Sequence, residues 1–259
     1  MTADSVSPGS QTTAMRRAPM QGGAMLYDAS RLSNADAALF DAESWIEKSA
    51  ATPTPAGRGA TLFIEHAGRS WVLRHYRRGG FMARLSADRY LWTGEERNRA
   101  FREWRLLHEL HAQALPVPAP VAARYRRYGP TYSADLITER IAGTQPLSAL
   151  LGAGPLRPSL WSAVGRCIRR FHDAGVCHAD LNAHNILIDA TERVFLVDFD
   201  RGTRRTPGAW RAANLARLKR SLEKITRDGL AERFSNREWT VLERSYHASS
   251  DVHAGVSAP

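Results

Sequence analysis

The segment 177–202, CHADLNAHNILIDATERVFLVDFDRG, constrains what this chain can fold into more than any other feature. A polar loop comes first, at 178–185. Two short apolar runs follow, at 186–188 and 194–197, and each has the length and composition of a short strand. A second polar group, at 198–200, comes directly after the second run. The segment therefore predicts two short strands with polar loops at their ends.

The residues before this segment have the patterns of strands and one helix. Runs at 60–65 and 70–76 flank the turn sequence His-Ala-Gly-Arg, and runs at 121–127 and 131–139 flank Gly-Pro, so each pair predicts a hairpin. A further strand is predicted at 44–47. The helix is predicted over Glu95 to Leu115, where large apolar residues recur at helical spacing and prolines follow.

Helical patterns dominate the residues from 160 onward. One apolar stripe lies within 160–171 and ends before Gly175, a predicted helix stop. A second stripe lies within 215–225, and a weaker helix is predicted over 236–247. A β-rich first half and a helical second half predict an α+β fold with two lobes, whose chemistry lies just past the join.

The composition bounds the class of protein. The chain has 259 residues, of which 43% are hydrophobic, and this suits one large domain or two packed lobes. Its formal net charge is +10, carried almost wholly by arginine, which favours anionic partners such as phosphates and anionic lipids. The aromatic residues do not interleave with the basic ones as in a nucleic-acid-binding motif, so no nucleic-acid partner is expected.

We predict three regions along the chain. Residues 1–25 are rich in Ser, Thr, Ala, Pro and Gly and are predicted to form a disordered tail. Residues 26–139 form a β-rich nucleotide-binding lobe, and residues 140–250 form a helical lobe with the catalytic loop. Cys167 and Cys177 are expected to be buried free thiols.

The polar residues of the opening segment have the spacing His-x-Asp-x-x-x-x-Asn, at His178, Asp180 and Asn185, with Asp198 further on. This is the layout of a phosphoryl-transfer loop, in which chemistry depends on positioning and charge neutralisation. Asp180 is the candidate catalytic residue that orients the acceptor hydroxyl. Asn185 and Asp198 offer the hard oxygen ligands that Mg²⁺ prefers. His178 is expected to brace the loop rather than to react.

The motifs HADLNAHNILID, VDFDRG and WVLRHYRRGG resemble the 3-deoxy-D-manno-octulosonic acid (Kdo) kinases, which are lipopolysaccharide core kinases of the protein-kinase-like superfamily. The resemblance implies a protein-kinase-like two-lobe fold. It also implies phosphorylation of the Kdo sugar of a Kdo–lipid A precursor at its 4-hydroxyl, with ATP and Mg²⁺. The expected location is the cytoplasmic side of the bacterial inner membrane, on its anionic surface, as a peripheral protein.

The resemblance also implies nucleotide contacts. Arg74 stands where kinases usually have a lysine for the α- and β-phosphates, and Glu103 is its expected helix partner. Glu139 lies where the hinge would meet adenine through the backbone, and Gly57 and Gly59 could cover the phosphates.

Two further features bear on the substrate and on the loop. Asp200 replaces the glycine of the usual Asp-Phe-Gly, so the loop is expected to be less mobile. The arginines after Arg74 are expected to form a cationic rim for an acidic substrate and an anionic leaflet. They are Arg77, Arg78, Arg84, Arg89, Arg97 and Arg99, and the nearby Phe81, Met82 and Leu85 are expected to pack in the core.

Three alternatives remain open at this point. Another small-molecule kinase, including a heptose kinase, shares the catalytic logic. A protein Ser/Thr kinase is less favoured, because no Ala-Pro-Glu follows the metal loop and little chain remains beyond it. A non-catalytic anion-binding protein would account for the charge but not for the set Asp180, Asn185 and Asp198.

Overall fold

The computed structural model of the chain describes residues 15–34, 36–47, 51–53, 61–77, 88–229 and 234–248. The strands are β1 (Met15–Met20), β2 (Gly23–Asp28), β3 (Ala51–Pro53), β4 (Thr61–His66), β5 (Arg69–His75), β6 (Tyr90–Leu91), β7 (Pro120–Tyr128), β8 (Thr131–Glu139), β9 (Thr144–Pro146), β10 (Val176–Cys177), β11 (Ile186–Asp189), β12 (Val194–Leu196) and β13 (Thr203–Arg204). The α-helices are α1 (Ala42–Glu47), α2 (Arg99–Ala112), α3 (Leu147–Ala153), α4 (Pro158–Asp173), α5 (Trp210–Arg227) and α6 (Asn236–Ala248). Short 3-10 helices span Ala37–Phe40 and Glu95–Arg97.

An antiparallel sheet makes up the first half of the fold. Its strand order is β1-β2-β7-β8-β5-β4-β3, and β6 pairs with β8 beside this path. Both predicted hairpins are present, as β4–β5 and β7–β8. In the β4–β5 turn, Ala67 and Gly68 both have positive φ, at 49° and 75°. Two left-handed residues in a two-residue turn match the right-handed twist of the strands, so this turn fixes their register.

The predicted disordered tail is wrong for residues 15–25, because they form β1 and the start of β2. The composition resembles that of a tail, but β1 pairs with β2 along its whole length, and β2 pairs with β7. This pairing satisfies the backbone hydrogen bonds, and Ala24 and Met25 are fully buried. Residues 1–14 of that prediction lie outside the described residues.

The predicted strand at 44–47 is also wrong, because these residues belong to α1. Asp41 supplies the reason: its Oδ1 accepts bonds from the backbone N–H groups of Glu43 (3.2 Å) and Ser44 (3.3 Å). A side-chain cap of this kind stabilises the start of a helix in a segment whose residues do not clearly favour helix over strand. Trp45 then packs against the sheet and donates from its Nε1 to the carbonyl of Leu39 at 2.9 Å.

The helices of the second half pack around a core that is continuous with one face of the sheet. A single hydrophobic cluster contains Trp104 of α2, Trp161 of α4 and Leu218 of α5. Helix α4 lies against α6 so closely that a Cβ on Gly165 would meet the carbonyl oxygen of Leu242 at 2.2 Å, so only glycine fits there. The predicted stop at Gly175 is confirmed, since its φ is +71°. The α+β fold class is confirmed.

The three predicted helices of the second half are present as α4, α5 and α6, and helix α3 was not predicted. Cys167 and Cys177 are both buried and free, as expected. Within the residues that the structure describes, no helix combines the length and apolar character needed to cross a membrane.

Candidate active site

The loop between β10 and β11 carries the first group of candidate residues. Strands β11 and β12 pair antiparallel and are the two short strands that the sequence predicts. Within the loop, the side-chain amide of Asn185 donates from Nδ2 to the backbone carbonyl of Asp180 at 2.9 Å. Asn182 donates to the same carbonyl at 3.0 Å. The two asparagines therefore close the loop on itself and fix the backbone at Asp180.

His178 braces this loop, as the sequence analysis expects. Its Nε2 donates to the carbonyl of Val197 at 2.9 Å, and its Nδ1 accepts from the backbone N–H of Asp180 at 3.2 Å. One donor and one acceptor are the pattern of a neutral imidazole. Burial lowers the pKa of His178, which keeps the ring neutral. The histidine thus ties the backbone of Asp180 to Val197, the residue before Asp198.

The two candidate metal ligands are brought together by the same strand pair. The backbone N–H of Val197 donates to the carbonyl of Asn185 at 3.0 Å, so Asn185 lies across from the residue that precedes Asp198. Asp198 has a left-handed backbone, with φ +63°, which is uncommon for a residue that is not glycine. Such conformations persist where the surroundings fix them, often at functional sites.

These residues fit a hard divalent cation. Asn185 uses its amide nitrogen as a donor within the loop, which leaves its Oδ1 as the atom that could bind a cation. The carboxylate of Asp198 is 40% exposed, so a cation and phosphates could reach it. One carboxylate and one amide oxygen, completed by substrate phosphates, are a usual donor set for Mg²⁺.

Arg74 of β5 forms the expected ion pair with Glu103 of α2 and also contacts the Asp198 carboxylate. Tyr76 completes the group: its hydroxyl donates to Glu103 Oε2 at 2.6 Å and lies 3.2 Å from Arg74 Nη2. Burial acts against the charge of Arg74, but Glu103, Tyr76 and Asp198 hold its pKa well above the ordinary value. Burial raises the pKa of the Glu103 carboxyl, and Arg74 opposes that rise.

The structure says less about the other residues predicted to contact the nucleotide, which are Glu139, Gly57 and Gly59. Glu139 ends β8, and its side chain pairs with Arg31 at 2.5 Å rather than lying open. Its role at a hinge, which would involve the backbone, stays a prediction. Gly57 and Gly59 lie outside the described residues.

Asp200 has a bidentate partner that the sequence did not predict. Arg99, the first residue of α2, donates from Nε to Asp200 Oδ1 at 2.8 Å and also contacts Oδ2. This contact ties the loop after β12 to α2, and the reduced mobility of the loop stays a prediction. Arg99 is therefore engaged within the protein rather than open to substrate.

The expected cationic rim is only partly described. The guanidinium of Arg89 lies 3.4 Å from the ring centroid of Tyr128, whereas Arg77 and Arg97 are exposed. The remaining members of that prediction lie outside the described residues, and so do the three apolar residues expected in the core; they are Arg78, Arg84, Phe81, Met82 and Leu85.

Sequence reasoning missed a set of contacts from α5 to the catalytic loop. Arg217 donates from its Nε to Asp180 Oδ1 at 2.9 Å, and its Nη2 contacts the same oxygen. Asn214 donates from Nδ2 to the carbonyl of His178 at 2.6 Å, and the Ser221 hydroxyl accepts from the N–H of Ala183 at 3.2 Å. The apolar stripe of α5 predicts the helix but not these contacts. The spacing of the three polar residues, which places them on one helix face, is the signal that could have found them.

The chain is similar in sequence to a known family of kinases. Residues 42–246 match the model of the Lipopolysaccharide kinase (Kdo/WaaP) family. A Stenotrophomonas maltophilia (strain K279a) protein named 3-deoxy-D-manno-octulosonic acid kinase is 46% identical over 227 residues, which cover 86% of this chain and 89% of the relative. Proteins of the same name from Xanthomonas euvesicatoria pv. vesicatoria (strain 85-10) and Xylella fastidiosa (strain M12) are 46% and 44% identical, with the same coverage. Since the family model spans most of the chain, and the relatives match over most of both lengths, this chain belongs to the lipopolysaccharide kinase (Kdo/WaaP) family.

Proposed function

We propose that this protein transfers the γ-phosphate of ATP to the 4-hydroxyl of the Kdo sugar on a Kdo–lipid A precursor, in synthesis of the lipopolysaccharide inner core. The observation that carries the proposal is the convergence of Asp180, Asn185 and Asp198, held together by His178 and by the β11–β12 pair. The names of the relatives support the Kdo sugar as acceptor.

Asp180 orients the acceptor in this proposal. Arg217 occupies its Oδ1, so Oδ2 is the oxygen that would take the proton of an incoming hydroxyl. As the hydroxyl oxygen bonds to the γ-phosphorus, the bond from that phosphorus to the bridging oxygen of ADP breaks, and the proton goes to Oδ2. The side chain of Asp180 is 48% exposed, which leaves room for an acceptor.

Arg74, Asn185 and Asp198 serve the phosphates. Asn185 and Asp198 would hold Mg²⁺, and the cation would neutralise charge on the phosphate oxygens. Arg74 would turn one edge of its guanidinium from Asp198 to the α- and β-phosphates while Glu103 keeps its position. An arginine can make this contact because its planar fork binds phosphate oxygens in pairs.

The proposed place of action is the anionic cytoplasmic surface of the bacterial inner membrane, with the protein bound peripherally. The net charge of +10 and the exposed Arg77 and Arg97 support attraction to such a surface. Cosedimentation with phosphatidylglycerol vesicles should fall steeply as salt rises, and phosphatidylcholine vesicles should bind little. Equal binding to both kinds of vesicle would contradict the electrostatic proposal.

Transfer of radiolabel from ATP to Kdo–lipid IVA tests the function directly. We expect label on the lipid with Mg²⁺ present, and mass spectrometry should place the phosphate on the Kdo 4-hydroxyl. Asp180→Ala should reduce transfer by about 1,000-fold or more while ATP still binds, because the loss concerns the acceptor. Labelling of a heptose or an aminoglycoside instead of Kdo would refute the proposed acceptor.

A further inference from the structure

Helix α5 contacts the catalytic loop through three side chains on one face. Asn214, Arg217 and Ser221 are spaced by three and four residues, so they line up along the helix. Asn214 and Ser221 bond to the backbone of the loop, at His178 and Ala183. A clamp that only shapes the loop would need no more than such backbone contacts.

Arg217 differs from the other two in what it touches and in its exposure. It bonds to the side chain of Asp180 and not to the backbone of the loop. Its side chain is 49% exposed, and that of Asp180 is 48% exposed, so a ligand can approach both at once. Its two bonds to Asp180 use Nε and Nη2 on a single oxygen, which leaves the two N–H groups of Nη1 for another acceptor.

Other arginines near the site are engaged differently. Arg74 is enclosed by Glu103 and Asp198, and Arg99 is paired with Asp200. Among the residues that the structure describes, Arg217 is the one whose charged group pairs with Asp180. A guanidinium is the side chain best suited to bridge two carboxylates, because its donors point in a fixed plane.

The chemistry of the acceptor calls for a cation at this position. This step rests on the proposed function. The carboxylate of Kdo is attached to C2 and the 4-hydroxyl to C4, so the two groups stand in a 1,3 relation on the sugar ring. A hydroxyl at Asp180 Oδ2 therefore brings a second carboxylate close to Asp180, and two neighbouring carboxylates repel unless a cation lies between them.

We propose that Arg217 is a specificity-determining residue that binds the carboxylate of the acceptor sugar through Nη1 while it holds Asp180 Oδ1. The guanidinium selects an acidic sugar whose carboxylate lies at the right distance from the reacting hydroxyl. It also keeps Oδ2 directed to that hydroxyl. A neutral sugar in the same place would leave the guanidinium with Asp180 alone.

A cycle of enzyme and substrate changes tests this role. The enzymes are wild type, Arg217→Met, Arg217→Lys and, as a matched control on the exposed surface of α5, Arg220→Met. The substrates are Kdo–lipid IVA and the same lipid with its Kdo carboxylate as a methyl ester. Wild type and Arg220→Met should lose about 10- to 100-fold in kcat/KM on esterification, the range for a hydrogen bond to a charged group. Arg217→Met should lose at least that factor in kcat/KM on the acid, because it also releases Asp180 Oδ1. Its kcat/KM should then differ little between the acid and the ester.

The outcomes separate this role from others. If Arg217→Met discriminates acid from ester as wild type does, Arg217 only positions Asp180 and the inference is overturned. A rise in the KM for ATP with unchanged discrimination would assign the guanidinium to phosphate and would also overturn it. Arg217→Lys keeps the positive charge but not the planar guanidinium, and it should retain part of the discrimination between acid and ester. It therefore tests the same role if Arg217→Met folds poorly. Absence of transfer to Kdo–lipid IVA by wild type would refute the proposed function itself, and the inference with it.

Discussion

Glu103 carries a buried charge whose main counterion is Arg74. The side chain of Glu103 is 2% exposed and that of Arg74 is 22% exposed, so water screens this pair poorly. Tyr76 adds a hydrogen bond of 2.6 Å to the carboxylate. Arg74 also contacts Asp198. The ion pair with Glu103 therefore helps to fix the position of the Arg74 guanidinium beside the candidate metal ligand.

We predict that Glu103→Gln lowers the free energy of unfolding by about 2 to 3 kcal/mol, because it leaves a half-buried guanidinium with Asp198 as its remaining carboxylate partner. ATP affinity should fall by about tenfold, since Arg74 is then drawn to Asp198. Urea unfolding and nucleotide titration measure the two effects. The control is Glu109→Gln on the same helix, whose side chain is 56% exposed and pairs with Arg204, and which should cost less than about 1 kcal/mol. Equal losses in both variants would show that the buried pair has no special role.

At the scale of elements, the link between α2 and the loop after β12 depends on Arg99 and Asp200. Both side chains are mostly buried, at 19% and 22% exposure, and they meet in a bidentate contact. Gly202 lies in the same loop, and its N–H donates to the carbonyl of Phe199 at 2.7 Å. A Cβ on Gly202 would come within 2.9 Å of that carbonyl, so the loop is tightly packed there.

We predict that Asp200→Ala speeds hydrogen exchange at the Gly202 amide by about tenfold, because opening of the loop then costs about 1.4 kcal/mol less. Deuterium exchange of the peptide over 199–204, read by mass spectrometry, measures the change. Asp189→Ala is the matched control, since Asp189 caps the β11–β12 turn with Arg193 and should leave this peptide unchanged. Unaltered exchange in Asp200→Ala would mean that packing alone fixes the loop.

At the scale of the whole molecule, the sequence was sufficient for elements whose signals are local. The hairpin turn at Ala67-Gly68 and the helix stop at Gly175 depend on backbone conformations that few residues adopt, so they could be predicted. The ion pair of Arg74 and Glu103 followed from the resemblance and is observed. Predicting these features requires no knowledge of the tertiary contacts between distant segments.

The features that the sequence did not predict depend on contacts between segments that are distant in the chain. Strand β1 is held by pairing with β2 rather than by its own composition, so it resembled a tail. Helix α1 is started by the cap of Asp41 on a segment of undecided propensity. Arg217 contacts Asp180 across a helix and a loop that the sequence could not dock, so the most informative neighbour of the catalytic candidate could be found only in three dimensions.

One buried network joins three helices to the catalytic loop and makes stability depend on pH. His172 of α4 accepts from the Tyr246 hydroxyl at Nδ1 (2.7 Å) and donates from Nε2 to Asn214 Oδ1 (3.2 Å). Asn214 in turn donates to the carbonyl of His178. A neutral His172 fits this arrangement, and burial lowers the pKa of His172 from 6.5 to about 4.

We predict that the native protein loses stability as the pH falls from about 6.5 to about 4. In this window unfolded His172 is protonated and native His172 is not, so the unfolded state binds more protons and is favoured by acid. The full difference is about 3 kcal/mol for this one group. His172→Gln should lower stability at pH 7, through the altered network, yet flatten the decline between pH 6.5 and 4 by up to that amount. Urea unfolding at half-unit pH steps measures both curves.

The pKa of His178 is also lowered, so some slope should remain in the variant. Parallel curves for wild type and His172→Gln would show that the acid sensitivity arises elsewhere.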